Sequence, residues 1–157
     1  MKKTDISYKN EEVNIKFNFR VALICNNDEA TLLQKEDNGK FWGLIGGRVS
    51  LGETTLDAII RETKEETGVK LLKKDVILIK ILENFFTYKE TKFHELLYIY
   101  KVENNKNLNG MNDFKTLDKD NVLNKWIPFS KLSEIEIRPE IVKSCYNDNT
   151  LTHDIIK

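Results

Sequence analysis

Cysteine, proline and histidine are scarce in this chain, and glycine is sparse. Among 157 residues there are two Cys, two Pro, two His and seven Gly. Two cysteines 120 positions apart, Cys25 and Cys145, have neither metal-ligand spacing nor the density of a disulfide framework. Cys25 falls in the apolar run Val21-Ala22-Leu23-Ile24-Cys25 and reads as core. So little Pro and Gly argues against long disorder or a fibrous repeat. An excess of charge is absent too: 25 basic and 25 acidic side chains balance to zero. A protein that follows a phosphate backbone usually carries a basic excess, so duplex nucleic acid is not the expected partner. A small anionic ligand needs only a few local cations. No apolar run has the length to span a bilayer, so no membrane partner is expected, and Met1-Lys2-Lys3 leads into polar residues, unlike a secretion signal. The cytoplasm is the expected compartment, and the length suits one domain over residues 1–157.

Within that frame the hydrophobic pattern is informative. Val13 to Cys25 alternates and then turns wholly apolar, as a strand entering a core does. Asn26-Asn27-Asp28 signals a turn, and Ala30 to Gln34 the returning strand. A short apolar run, Phe41 to Ile45, is closed by Gly46-Gly47. The period then changes: Leu56, Ile59, Ile60 and Thr63 fall at helical spacing, with Thr54 or Thr55 as N-cap and Gly68 as left-handed C-cap. Val76–Phe86 and Phe93–Val102 read as strands joined by Thr87–Lys92. Asn104–Asn121 reads as a polar surface loop, Val122–Phe129 as a strand, and Ser130–Ile135 and Pro139–Tyr146 as short helices. Strands on both sides of one long helix, with helical cover at the end, predict an α/β layered domain.

On a wheel at 100° per residue, with Leu56 at zero, Ile59, Ile60, Thr63 and Thr67 lie within about 60°. Glu62, Glu65 and Glu66 lie between roughly 180° and 280°, on the opposite side, with Ala58 beside them leaving room. Arg61 stands one turn before Glu65. Like charges at this spacing repel, and Glu65 and Glu66 also meet the negative end of the helix dipole. A hard cation such as Mg²⁺ would reverse both penalties, whereas a solvated acidic face is the plainer reading of these residues alone.

The longer pattern separates the two. Gly47, Glu53 and Arg61-Glu62-Thr63-Lys64-Glu65-Glu66-Thr67-Gly68-Val69 resemble the Nudix box, G-x5-E-x7-R-E-U-x-E-E-x-G-U with U apolar. Agreement at seven fixed positions by chance is on the order of 10⁻⁸ for a given start. Trp42-Gly43-Leu44-Ile45-Gly46-Gly47-Arg48 is similar to the family's lead-in. Two positions depart: Thr63 replaces an apolar residue, and Ile45 stands where the family often has Pro. Glu83-Asn84-Phe85-Phe86, His94-Glu95-Leu96 and Trp126-Ile127-Pro128 resemble a bacterial Nudix subgroup.

The resemblance implies an α/β/α sandwich with a mixed β-sheet, its catalytic loop and helix at about Gly47–Gly68. It implies hydrolysis of a diphosphate bond by water attack on phosphorus. Glu62, Glu65, Glu66 and the Gly47 carbonyl would hold Mg²⁺ or Mn²⁺, with Arg61 and Glu53 supporting them. The general base in this family is either a box glutamate, here Glu65 or Glu66, or an acid from another loop or strand; Glu95 is the first candidate for such an outside acid, followed by Glu90 and Asp120. Arg20 and Arg48 are candidate phosphate clamps, and Phe85, with Phe86, Tyr88 and Trp42, candidate stacking surfaces. His94 reads as a strand residue, and His153 carries no signal. The expected substrate is a nucleoside diphosphate linked to a moiety X. A sugar, pterin or isoprenoid diphosphate is the alternative, and a ligand sensor of the same fold a third reading, disfavoured by the complete acid set. Specificity would lie in Lys35–Lys40, Thr87–Lys92 and Asn104–Asn121. A homodimer is compatible with the sequence, which sets no oligomeric state.

Overall fold

The structure, a computed structural model, describes residues 3–157. Nine strands form among the described residues: β1 (Ser7–Asn10), β2 (Ile15–Asn26), β3 (Ala30–Glu36), β4 (Ile45–Arg48), β5 (Ile77–Tyr88), β6 (Thr91–Glu103), β7 (Phe114–Lys115), β8 (Val122–Pro128) and β9 (Thr152–Ile156). The helices are α1 (Thr55–Thr67) and two single turns, α2 (Lys106–Asn109) and α3 (Val142–Cys145). The strands run β7-β8-β3-β2-β6-β5-β9, with β1 and β4 both paired to β2. The sheet is mixed: β2 lies parallel to β6 and β5 parallel to β9, and the other pairs are antiparallel.

Both faces of the sheet are apolar, as buried mixed sheets require. One cluster joins Val21, Leu23 and Cys25 of β2 and Tyr100 and Val102 of β6 to Ala58, Ile59 and Ile60 of α1. A second joins Ala22 and Ile24, Leu97 and Ile99 to Leu132, Ile137 and Val142. Side chains alternate along β2 and β6, so each strand feeds both clusters. This is the layered α/β arrangement expected from the sequence.

The helix begins and ends where its capping residues predict. Thr54 Oγ1 accepts from the Asp57 N–H at 3.1 Å, and Gly68 closes the helix at φ 79° with its N–H on the Lys64 carbonyl at 2.8 Å. Thr63 is buried in the apolar stripe because its hydroxyl donates to the Ile59 carbonyl at 2.7 Å, leaving the methyl to pack.

Several elements depart from the sequence reading. Ile45 is a fully buried strand residue opposite Leu23, and Gly46-Gly47 continue β4 rather than ending it. β5 and β6 extend through most of the expected Thr87–Lys92 loop, leaving only Lys89 and Glu90, both at positive φ, to turn the hairpin. Residues 104–121 are anchored: Leu108 and Thr116 are buried and Phe114–Lys115 pair with β8. The C-terminal cover is thinner than a pair of helices, because residues 129–134 form a 3₁₀ turn and α3 spans four residues. β1 and β9 carry too few apolar residues to be read as strands, and each forms because a long neighbour offers an unpaired edge.

The packing of α1 gives a direct expectation. Ile59 is fully buried, so Ile59→Ala should cost about 2–5 kcal/mol of stability in urea unfolding, while truncation of the half-buried Leu56 should cost less.

Candidate active site

The site is built where α1 lies against β4, a strand with two residues that lack side chains. A Cβ on Gly47 would stand 2.3 Å from Glu62 Cδ and 2.5 Å from each Glu62 carboxylate oxygen. A Cβ on Gly46 would stand 2.2 Å from the Val21 carbonyl oxygen. No side chain fits at either place, so the paired glycines let the acid-bearing helix approach the sheet.

Arg61 organises the acids around it. Its Nε and Nη2 donate to the two oxygens of Glu53 at 2.7 and 2.9 Å, a bidentate pair. Nη1 donates to Glu62 Oε1 at 2.5 Å and to Glu65 Oε2 at 3.2 Å, and Nη2 also reaches the Arg48 carbonyl at 3.0 Å. Those five contacts match the guanidinium's donor capacity. Glu53 in turn accepts the Ser50 N–H at 3.0 Å, which fixes the loop before the helix. Hydrogen bonds from Arg61 hold the Glu53 carboxyl below its ordinary range, and the same carboxylate raises the pKa of Arg61. Glu65 is also bonded by Lys3, a partner the sequence gave no reason to choose.

Glu66 differs from its neighbours. It is 1% exposed, so the wheel's assignment of all three acids to the side away from the core needs correcting. Ala58, expected on that open side, is fully buried as well. The helix is enclosed by β4 as well as by the sheet face, and its buried arc therefore extends past the apolar stripe to Glu66. Glu66 Oε2 has no hydrogen-bond partner, and burial pushes its pKa up to about 8, with Lys119 opposing and Asp118 reinforcing the shift. The Glu62 carboxyl is also raised, first by burial, against the pull of Arg61. Residues 117–119 reach the helix through the Leu117 N–H, which donates to the Glu66 carbonyl at 2.9 Å. Neither Asp118 nor Lys119 stood out in the sequence, since nothing local marks which part of a polar loop folds back.

These donors suit a hard divalent cation. The buried, unpartnered Glu66 oxygen and the Glu62 carboxyl against Gly47 are hard oxygen donors turned away from bulk water, and a bound cation would favour the ionised form of each. Among the described residues, no three acidic, histidine or cysteine side chains are gathered tightly enough to form a ready cage. Arg61 and Lys3 occupy the positions of counter-charge, and a cation would take Glu62 and Glu65 from them.

The remaining candidates are spread elsewhere. Glu95 is buried and pairs with Arg20 Nη1 at 3.4 Å. Strand alternation puts both in phase with Ala22 and Leu97 of the second cluster, on the face away from α1. The structure therefore does not bring Glu95 to the box acids. Glu90 sits in the β5–β6 turn and Asp120 in the exposed part of the 116–121 loop. Arg48 stands opposite Arg20 in the β2–β4 register, with Asp5 Oδ2 3.3 Å from its Nη1. Phe85 stacks on His94 at 4.4 Å, and Phe17 meets the same ring edge-on, so Phe85 is already covered. Phe86 is stacked on Phe93, Tyr88 lies beside Lys89, and Trp42 lies under Lys35. His153, silent in the sequence, contacts Glu83 at 2.8 Å from β9.

Burial of Glu66 has a measurable consequence. In the folded chain it keeps its proton until about pH 8, whereas an unfolded glutamate releases it near about 4.3. The folded state thus binds more protons across that window. Without divalent cation, stability should be greatest at the acidic end and fall toward about pH 8, by at most about 1.4 kcal/mol per pH unit. The depressed carboxyl of Glu53 acts with the opposite sign but below the window. Urea midpoints between roughly pH 5 and 8 should slope down for the native chain and less steeply for Glu66→Gln, where only the raised carboxyl of Glu62 still acts in the same direction; equal slopes would contradict the assignment.

A NUDIX domain family model matches residues 16–145. An uncharacterized Nudix hydrolase of Bacillus subtilis (strain 168), YvcI, is 37% identical over 51 residues, 32% of this chain and 32% of that protein. A putative 8-oxo-dGTP diphosphatase of the same organism is 40% identical over 47 residues, 30% of this chain and 32% of that protein. The chain thus matches about a third of the length of these curated relatives. Among solved structures, a MutT protein from Bacillus halodurans matches with a TM-score of 0.67 at 17% identity, over 87% of this chain and 86% of that one. A NUDIX hydrolase from Nitrosomonas europaea matches with a TM-score of 0.55 at 17% identity, over 88% and 78%. At such identities the structures establish a shared fold, and the family model spans nearly all of β2 through β8, with the glycine edge and the acid helix between them: the chain belongs to the Nudix family.

Proposed function

We propose that this protein hydrolyses the diphosphate bond of a nucleoside diphosphate linked to a further moiety, using Mg²⁺ or Mn²⁺ held by Glu62, Glu65, Glu66 and the Gly47 carbonyl. The observation that carries the reading is Glu66, a buried carboxyl with one oxygen unpartnered, on the same helix as the acids that Arg61 gathers. Family membership supports diphosphate chemistry, and the relative described as a putative 8-oxo-dGTP diphosphatase supports a nucleotide. The bound cation would supply charge neutralisation on the diphosphate and a more acidic water.

The chain's own residues supply position and proton transfer. Arg61 holds Glu53, Glu62 and Glu65 in one array, so these side chains need not reorganise when substrate arrives. A water oxygen attacks phosphorus, the bond from phosphorus to the bridging oxygen breaks, and the water proton passes to a carboxylate. Asp118 is our choice for that carboxylate, because the 117–119 segment is bonded to the acid helix, whereas Glu95 is committed to Arg20 on the other face. Arg20 and Arg48 stand opposite each other across β2 and β4, each beside one carboxylate, Glu95 and Asp5, and a phosphate there would offer both guanidinium groups a shared acceptor.

Turnover should depend on Mg²⁺ or Mn²⁺ and be found within a panel of dinucleotides, nucleotide sugars, nucleoside triphosphates and non-nucleotide diphosphates. Glu66→Gln should lower kcat by about 10²-fold or more while the fold survives, as judged by circular dichroism. Tight binding of one panel member with no turnover would replace the enzyme by a sensor; turnover confined to sugar, pterin or isoprenoid diphosphates would replace the nucleotide. Asp118→Asn should lower kcat by about 10²–10⁴-fold and abolish the acidic limb of its pH profile. Glu95→Gln should leave that limb in place, and the reverse pattern would return the base to Glu95.

A further inference from the structure

The residues ahead of β1 run beside the catalytic helix, bonded through their backbone to the loop that leads into it. The Ile6 N–H donates to the Val49 carbonyl at 2.8 Å and the Leu51 N–H to the Thr4 carbonyl at 2.9 Å, with Asp5 bridged to Ser50 between them. Ile6 also accepts the Phe19 N–H at 3.1 Å and packs against the first core cluster. Ile6 is therefore a firm anchor for a short strap, residues 3–5.

Two charged side chains leave this strap, two residues apart and of opposite sign. The Lys3 ammonium donates to Glu65 Oε1, and Asp5 Oδ2 accepts from Arg48 Nη1 at 3.3 Å. Each lands on a group with another task in the proposed reaction, Glu65 for the metal and Arg48 for a phosphate. The strap thus brings a cation to an acid and an anion to a guanidinium, the same pair of charges that a metal–diphosphate complex carries. Both pairs are open to water, their four side chains being 36–48% exposed. Pairs so exposed are weak and readily exchanged, whereas Ile6 is fixed by two backbone bonds and by packing.

We propose that residues 3–5 form an autoinhibitory strap over the catalytic site, in which Lys3 stands in for the metal on Glu65 and Asp5 for a substrate phosphate on Arg48. These roles rest on the metal and phosphate assignments proposed above and add a competitor to each. Before ligands arrive, the strap offsets the charge of both groups. Metal and diphosphate must displace it, so their apparent affinities are reduced by the fraction of molecules whose strap is open. Release is confined to the chain ahead of Ile6. Once Lys3 and Asp5 lose their partners, the bond from Leu51 to the Thr4 carbonyl opens and Ile6 serves as the hinge.

Free Mn²⁺ is followed by electron paramagnetic resonance during titration into the native chain, Glu66→Gln, Lys3→Gln, Lys3→Arg and Lys64→Gln. Lys64 is exposed on the same helix and makes no ion pair among the described residues, so its loss reports the general effect of removing a positive charge. Lys3→Gln should bind Mn²⁺ up to about fivefold more tightly than the native chain and more tightly than Lys64→Gln, and Lys3→Arg should restore native affinity. Calorimetry with inorganic pyrophosphate should show the same direction for Asp5→Asn. Amide exchange of the native chain is the independent readout. Mn²⁺ with pyrophosphate should speed exchange at the Leu51 N–H and leave the Ile6 N–H protected, whereas ligands bound beside a merely structural segment would slow Leu51 or leave it unchanged. Mn²⁺ binding that requires Glu66 but is no tighter in Lys3→Gln than in Lys64→Gln would overturn the strap and leave the catalytic reading standing, as would a Leu51 amide that ligands do not speed. Absence of Mn²⁺ binding, or binding indifferent to Glu66→Gln, would take down the catalytic reading and the strap together.

Discussion

A single guanidinium has to hold three carboxylates that would otherwise repel one another. Arg61 binds Glu53 bidentately, touches Glu62 and Glu65, and anchors on the Arg48 carbonyl. Without it the acids would meet each other and the negative end of α1 with little nearby compensation. The price falls on Glu66, which Arg61 does not reach and which is left buried and protonated near neutral pH. A doubly positive ion among these oxygens would offset that burial directly, which makes catalytic readiness and electrostatic strain two aspects of one arrangement.

Close approach is the second condition. Glu62 can lie against the sheet only because Gly47 has no side chain, and β4 can pair with β2 at that point only because Gly46 has none. The acid helix is fastened at its other end by a long-range contact, Leu117 to Glu66, from a segment some 50 residues later in the chain. Site geometry therefore depends on the β8 side of the sheet as well as on the motif.

The sheet also divides the charged groups. The box acids belong with α1 and the first core cluster, while Glu95 and Arg20 lie in phase with the second. β4 is where the two faces meet, with Gly47 turned toward the helix and Arg48 toward Arg20. A substrate whose diphosphate sits at that edge would have acids on one side and guanidinium groups on the other.

Local chemistry in the sequence determined the helix. Thr54 and Gly68 supply caps that need no distant partner, and the spacing of Leu56, Ile59, Ile60 and Thr63 sets the apolar stripe. The box pattern identified the acids for the same reason: their spacing is itself the geometry of one helical face. Tertiary structure alone decided which acid is buried, because Glu66 and Ala58 are enclosed by a strand whose approach a helical wheel does not contain. It decided that Glu95 pairs with Arg20 and that residues 117–119 fold onto the helix, since a side chain's partner across 50 or more residues is set by sheet register. It also formed β9, a polar five-residue segment that becomes a strand because β5 offers it an edge.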